Sequence, residues 1–387
     1  MTTASVTPVV LAAGKGTRMN SETPKVLHEC FGEPMLTHVL RSLGRTGSEQ
    51  PLLVLGSGRK EVRSRIELDF REVLQEDQLG TGHAVRTALE SSSIRKDGSL
   101  LVTCGDIPGI RPETFETVME AYDSSDAELM LLTTCLEDPA GYGRVKTNGD
   151  GDVLAIVEHA DASPEEKEIR RINTGVMIGE TSVFRNYLTE LDADNEQGEL
   201  YLTDLVQLLN EDGGSVDRFD VDDPWEVRGI NTRRDLVEFE EEGYRRRAQS
   251  LLDEGVTVRY PGSVRLGPWV SVEQDVELDG SVTVLGESHL GEGVTLRGET
   301  YVVDSEIGPG TFVDRATIKS SRLGSDVTVG PFTHVRPGSK VGDGVRLGNF
   351  VELKKTQVAD RSKIPHLSYV GNAEIGCEVG DAFEVGD

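Results

Sequence analysis

Hydrophobic positions along the chain obey two different rules, one before residue 230 and one after residue 255. In the first region, nearly continuous apolar runs at 6–12, 51–55, 99–103, 128–132 and 153–157 are separated by longer mixed segments. A strand covered on both faces loses the in–out alternation, so such runs at this spacing predict βαβ units in a mainly parallel α/β sheet of Rossmann-like type. One helix is then signalled. Thr232 and Asp235 have the spacing of a capping box, Leu236, Phe239, Tyr244, Leu251 and Leu252 supply apolar positions, and Gly255 ends it. The expected organisation is a first domain over 1–231, a connecting helix over 232–255 and a second domain over 256–387.

Beyond Gly255 the apolar residues recur every six positions. Leu323, Val329, Val335, Val341, Leu347 and Leu353 keep that step without a slip; after a one-residue deletion Val358, Ile364 and Val370 continue it, and upstream Val270, Val276 and Val282 step likewise. Neither a helix nor a sandwich has this period. It is the mark of hexapeptide repeats wound into a parallel β-helix, in which each coil buries its apolar column only against its neighbours.

Composition narrows the setting. The chain has 387 residues with 40 Lys and Arg against 68 Asp and Glu, a net charge of −28. Such a surface repels nucleic acid and anionic lipid, and no apolar run reaches the ~18 residues of a membrane helix, so neither nucleic acid nor a membrane is expected as a partner. The first 14 residues carry no basic stretch ahead of an apolar core, and a cytoplasmic location is expected. Cys30, Cys104, Cys135 and Cys377 are far apart and read as reduced thiols.

Against that negative background one cationic island stands out. The first strand runs into Leu11-Ala12-Ala13-Gly14-Lys15-Gly16-Thr17-Arg18-Met19, followed by Pro24-Lys25, so Lys15, Arg18 and Lys25 face only Glu22. Glycines after a strand let backbone N–H groups approach a phosphate. The spacing fits neither the dinucleotide fingerprint nor the P-loop. A phosphate-rich ligand and a solvated basic turn both remain compatible with these residues alone.

The motif L-A-A-G-x-G-T-R-M followed by P-K resembles that of sugar-phosphate nucleotidyltransferases. Gln78-Leu79-Gly80-Thr81-Gly82-His83-Ala84, Gly105-Asp106-Ile107-Pro108, Gly141-Tyr142-Gly143-Arg144, Val157-Glu158-His159, Ile172-Asn173-Thr174-Gly175 and Gly229-Ile230-Asn231 follow in order. Together they resemble the bacterial bifunctional UDP-N-acetylglucosamine pyrophosphorylase/glucosamine-1-phosphate N-acetyltransferase family. The resemblance implies a nucleotidyltransferase domain followed by a left-handed β-helix, homotrimers formed through that helix, and transfer of uridylyl from UTP to N-acetylglucosamine-1-phosphate in cell-envelope precursor synthesis. It implies that Leu11, Ala13, Gly14, Gln75, Gly80 and Thr81 contact the nucleotide, that Gly141, Glu158 and Asn173 hold the sugar, and that Asp106 and Asn231 hold Mg²⁺. Lys25, Arg18 and Lys15 are then the catalytic cations, while His28 and His83 read as structural.

In the repeats the same resemblance implies an acetyltransferase site at Arg336, Lys354, His366 and Tyr369. The sequence departs from the family pattern after Ile375-Gly376, where 377–383 reads C-E-V-G-D-A-F without the expected asparagine. Acetyl transfer is therefore expected to be absent or impaired. The competing expectations are a sugar-1-phosphate nucleotidyltransferase of other specificity, a fully bifunctional enzyme, and a non-catalytic assembly subunit.

Overall fold

The computed structural model describes residues 6–91 and 93–380. The opening residues 1–5 and the closing stretch 381–387, which includes Asp381, Ala382 and Phe383 of the departing segment, lie outside the described residues. Two compact units meet between Leu236 and Val237.

The first unit is built on a sheet whose strands lie side by side in the order Val216–Asp220, Leu129–Cys135, Arg171–Glu180, Ser99–Cys104, Val6–Ala12, Leu52–Leu55 and Arg71–Leu74. All the apolar runs expected as strands are strands: 6–12 and 153–157 match to the residue, and the other three have ends shifted by one to three residues. Along this order the pairing is parallel except around Arg171–Glu180, which runs antiparallel to both its neighbours and was not anticipated. An inserted strand of this kind has no local signature; only the partner strands on either side decide its direction. Val153–Val157 joins the sheet off this path, antiparallel to Arg144–Thr147, which in turn pairs with Arg171–Glu180.

Continuous apolar runs follow from burial on both faces. Val9, Leu52, Val54, Leu100 and Val102 point into one core, closed by residues of the helices Thr81–Glu90, Thr181–Tyr187 and Asp204–Glu211. Val10, Leu53, Leu55 and Leu101 point into the other, against Met35–Arg45, Arg59–Arg65 and Pro112–Asp123. With period 2 along each strand, neighbours in sequence necessarily serve opposite cores. Each fully buried Val or Leu contributes about 1.5–3 kcal/mol relative to exposure.

The helix Arg233–Asp253 starts as its sequence signals. The Asp235 amide donates to Thr232 Oγ1 at 3.1 Å, and the Thr232 amide donates to Asp235 Oδ2 at 2.8 Å. Phe239 and Leu251 are buried, whereas Leu252, expected among the apolar positions, is 47% exposed. It follows Leu251 by one residue and therefore points about 100° away around the helix.

The second unit contains three parallel sheets of seven strands each among the described residues. Leu323 pairs with Val341 and that with Val358; Val329 pairs with Leu347 and that with Ile364; Val335 pairs with Leu353 and that with Val370. The six-residue step is thus the passage from one sheet to the next, and three steps close a coil of the β-helix. Upstream the column is different from the one expected. The strand partners that continue the line of Val329 are Val313, Leu296 and Leu278, not Val276. Val276 and Val282 lie two residues before Leu278 and Val284 and form a second inward layer, also fully buried. Each face offers two inward positions two residues apart, and a period of six alone cannot tell which one a given valine occupies.

Candidate active site

Four neighbouring parallel strands bring their carboxyl ends to one rim of the first unit. Val6–Ala12 leads to Gly14 and Lys15, Leu52–Leu55 to Gly56, Arg71–Leu74 to Gln75, and Ser99–Cys104 to Asp106. Ligands of open α/β sheets bind at such strand ends, where main-chain groups lack strand partners and loops diverge. A cavity of about 450 Å³ opens here, lined among others by Leu11, Ala13, Gly14, Lys15, Lys25 and Gln75, with Gly80, Thr81, Cys104 and Asp106 on its other wall.

The cationic island closes onto the carboxylate. Lys25 forms an ion pair with Asp106, and its Nζ also donates to Asn231 Oδ1 at 2.7 Å. Arg18 Nη2 donates to the same Asn231 oxygen at 2.8 Å. Residues more than 200 positions apart therefore converge. The loop carrying Asn231 is held in place because the Ile230 amide donates to the Asp106 carbonyl at 2.9 Å and the Gly229 amide donates to Tyr142 Oη at 3.3 Å. Gly16 permits the loop's approach to Lys25: it sits at φ +60°, and a Cβ there would fall 2.5 Å from Lys25 Cβ.

On the opposite wall Gln75 is buried at 3% exposure, and its Nε2 is hydrogen-bonded to the Gly80 carbonyl at 3.2 Å and His83 Nδ1 at 2.9 Å. With its two N–H donors engaged, this side chain offers its carbonyl oxygen, an acceptor only. His83, expected to be structural, thus orients a cavity residue. Thr81 Oγ1 accepts from the Leu202 amide at 3.0 Å and keeps its own proton to donate. His28 makes no such contact: its Nε2 is buried without a hydrogen-bond partner, and burial beside Arg233 holds its pKa below the ordinary value.

The residues expected to hold a sugar line up on the inserted antiparallel part. Glu158 follows Val153–Val157, Asn173 opens Arg171–Glu180, and the Asn173 amide donates to the Gly143 carbonyl at 2.9 Å, beside Gly141. Burial, reinforced by Asp161 and Glu199, raises the Glu158 carboxyl above its ordinary range although the Thr203 hydroxyl donates to it at 3.0 Å. Asp204, next to Thr203, is pushed up to about 6 by burial and by Glu158, Asp192 and Asp161. Loss of solvent, with Asp106 close by, pushes the Cys104 thiol up to about 12, so it stays protonated and is no nucleophile. Among the described residues no cluster of three or more His, Cys, Asp or Glu is arranged to hold a metal by itself. Asp106 and Asn231 nevertheless direct two hard oxygens onto one cation, at present the Lys25 ammonium, a donor set suited to Mg²⁺ completed by phosphate oxygens.

Sequence reasoning passed over Gln78, Glu199 and Thr17 as lining residues. Gln78 lay inside a motif already quoted, but nothing in its spacing said which glutamine faces the cavity. In the second unit, Arg336 and Lys354 occupy equivalent places after Val335 and Leu353, and Tyr369 lies on the next strand of the same sheet, so the four residues of the expected acetyltransferase site come to one face and its corner. Arg336 is paired with Glu352 at 2.8 Å, Tyr369 is 62% exposed and His366 is exposed.

Residues 8–144 match the MobA-like NTP transferase domain, and residues 320–355 match six repeats of the bacterial transferase hexapeptide. The chain is 40% identical, over 95% of its length and 81% of the relative's, to the bifunctional protein GlmU of Halalkalibacterium halodurans. It is 39% identical to the GlmU of Corynebacterium aurimucosum over 95% of this chain and 77% of that one, and 40% identical to the GlmU of Synechococcus sp. strain CC9605 over 96% and 82%.

Proposed function

The chain belongs to the GlmU family of bifunctional proteins, and from that premise we propose that its first unit transfers uridylyl from UTP to N-acetylglucosamine-1-phosphate, releasing pyrophosphate. The observation that carries the reading is the convergence of Lys25, Arg18, Asp106 and Asn231 at the mouth of the glycine-lined cavity. In a protein of charge −28, cations gathered around a carboxylate and an amide oxygen are what two phosphorylated substrates require in order to approach each other.

The nucleophile is a phosphate oxygen whose second pKa lies near ~6, so it is mostly dianionic at neutral pH and needs no general base. What the protein contributes is position and charge neutralisation. Gly14 and its neighbours offer backbone N–H groups to the nucleotide, Gln75 accepts from the uracil N3–H, and Thr81 donates to a uracil oxygen. Gly141, Asn173 and Glu158 hold the sugar at the other end, where the Glu158 carboxyl oxygens can accept hydrogen bonds from sugar hydroxyls as they do from Thr203. Lys25 meets charge on the α-phosphoryl group, with Lys15 and Arg18 on the departing pyrophosphate. A divalent cation, Mg²⁺, held by Asp106 and Asn231 would supply further charge neutralisation, and the Lys25 ammonium would swing from those oxygens to the phosphate.

Homotrimers through the repeats are part of the same proposal, as is the division of labour between residues 1–231 and 256–387. Acetyl transfer in the repeats is proposed to be weak or lost, because Arg336 is neutralised by Glu352 and Cys377-Glu378 stands where the resemblance carries an asparagine. One assay tests the two activity statements together: pyrophosphate release over a panel of nucleotides and sugar-1-phosphates, with thiol release from acetyl-CoA in the presence of glucosamine-1-phosphate measured alongside. UTP with N-acetylglucosamine-1-phosphate is expected to be the fastest pair and acetyl-CoA to yield no thiol. Preference for another base or sugar would replace the specificity reading, and vigorous thiol release would overturn the acetyl part.

A further inference from the structure

Behind the cationic loop lies a contact that the motifs leave unassigned. Gln78 reaches from the segment after Arg71–Leu74 to the end of the first strand, where its Nε2 donates to the Ala13 carbonyl at 2.5 Å. The two meet over Gly56, at the end of the strand Leu52–Leu55. A Cβ on residue 56 would fall 2.3 Å from Gln78 Nε2 and 2.6 Å from the Ala13 oxygen, closer than real Cβ contacts come. Gly56 is buried and its φ is not in the left-handed region, so the reason for glycine here is space rather than backbone conformation. Three strand ends are therefore fastened at one point, and the point is the peptide group that precedes Gly14.

That peptide is planar and trans, so fixing the Ala13 C=O direction fixes the Gly14 N–H in the opposite direction. Ala13, Gly14, Lys15 and Gln78 all line the main cavity, whereas Ala13, Gly14, Lys15 and Gly56 also line a second recess of about 240 Å³ beyond the loop. The loop is thus a thin wall with open space on both sides. Ala13 packs against the core on one side, and the Gln78 hydrogen bond ties its carbonyl to the neighbouring strand end.

We propose that Gln78, seated in the space left by Gly56, is a positioning residue that holds the Ala13–Gly14 peptide in the orientation needed for nucleotide phosphate binding. The proposal rests on nucleotide use of this cavity. It assigns Gln78 an effect on the nucleotide and none on the sugar phosphate, because Gly141, Glu158 and Asn173 come from other strands.

The test uses Gln78→Met, which keeps length and loses the donor, Gly56→Ala, which displaces the amide, and the double variant. An unmade hydrogen bond at such a site changes binding by about tenfold. KM for UTP is expected to rise about tenfold in each single variant, with KM for the sugar phosphate within about twofold of wild type. The double variant should be no worse than the poorer single, since both act on one contact. Equal rises in both KM values, unchanged KM for UTP, or multiplicative effects in the double variant would overturn the proposal. Should the wild-type chain release no pyrophosphate from UTP, the activity reading falls while this one is still decided by amide hydrogen exchange. Segment 11–19 should then exchange at least about tenfold faster in Gln78→Met than in wild type, and equal rates would refute the tie.

Discussion

In the first unit the strand interiors are nearly interchangeable and their ends all differ; in the second, interiors and ends both repeat. Val9, Leu53, Val73 and Leu101 could trade places with little chemical consequence, but the groups that follow their strands are a glycine loop, a buried glycine, a glutamine and an aspartate, each used once. The β-helix instead stacks Leu278, Leu296, Val313, Val329, Leu347 and Ile364 in one line, and its corners and outward residues are variations on a coil. A unique site needs strand ends that diverge, whereas a solenoid needs ends that superimpose. Function and stability should therefore separate sharply under mutation.

The largest expected effect lies at the rim of the sheet. Lys25→Ala or Asp106→Ala should lower pyrophosphate release by about a hundredfold or more, equivalent to ~3 kcal/mol of barrier, while thermal melting stays within a few degrees of wild type. Near-normal turnover in either variant would remove the catalytic reading. The opposite signature is expected in the repeats. Leu347→Ala, at a site 1% exposed, should cost about 2–4 kcal/mol in urea unfolding, with the kcat of the surviving folded enzyme unchanged. A loss of kcat in that variant would break the separation of the two units.

A smaller effect sharpens the comparison within the first unit, because strand ends that gather function also gather unfavourable charge. Asp204, whose pKa stands at about 6, is protonated in the folded chain at pH 5 but ionised in the unfolded one. Its contribution to stability is therefore present below about pH 4 and is lost as pH rises through about 6. Asp204→Asn should be more stable than wild type by about 1–2 kcal/mol at pH 7.5, a figure reduced for partial exposure, and equal to it at pH 4. Denaturation curves at the two pH values decide the matter; equal stabilities at pH 7.5 would mean that the carboxylates around Glu158 do not repel as their positions imply.

Much of this was legible beforehand for a physical reason. Apolar runs buried on two faces and a six-residue step are local patterns, and Thr232 with Asp235 is a local cap, so strands, coils and helix start could be read in order. The antiparallel course of Arg171–Glu180 and the second inward layer holding Val276 and Val282 were missed because each is fixed by a partner strand far away in sequence. Lys25, Asp106 and Asn231 were named from motifs, yet nothing in their spacing said that one ammonium would bridge the other two. Gln78 went unremarked for the same reason: its role exists only once Gly56 leaves room for it beside Ala13.

The sequence by itself determined which kinds of element form, where the repeats begin and which residues carry charge and phosphate-binding character, since these depend on neighbours within a few positions. Only the tertiary structure decided which strand ends share a rim, which inward layer a valine joins and which side chain holds the loop, because those are distances between residues that the chain places tens to hundreds of positions apart.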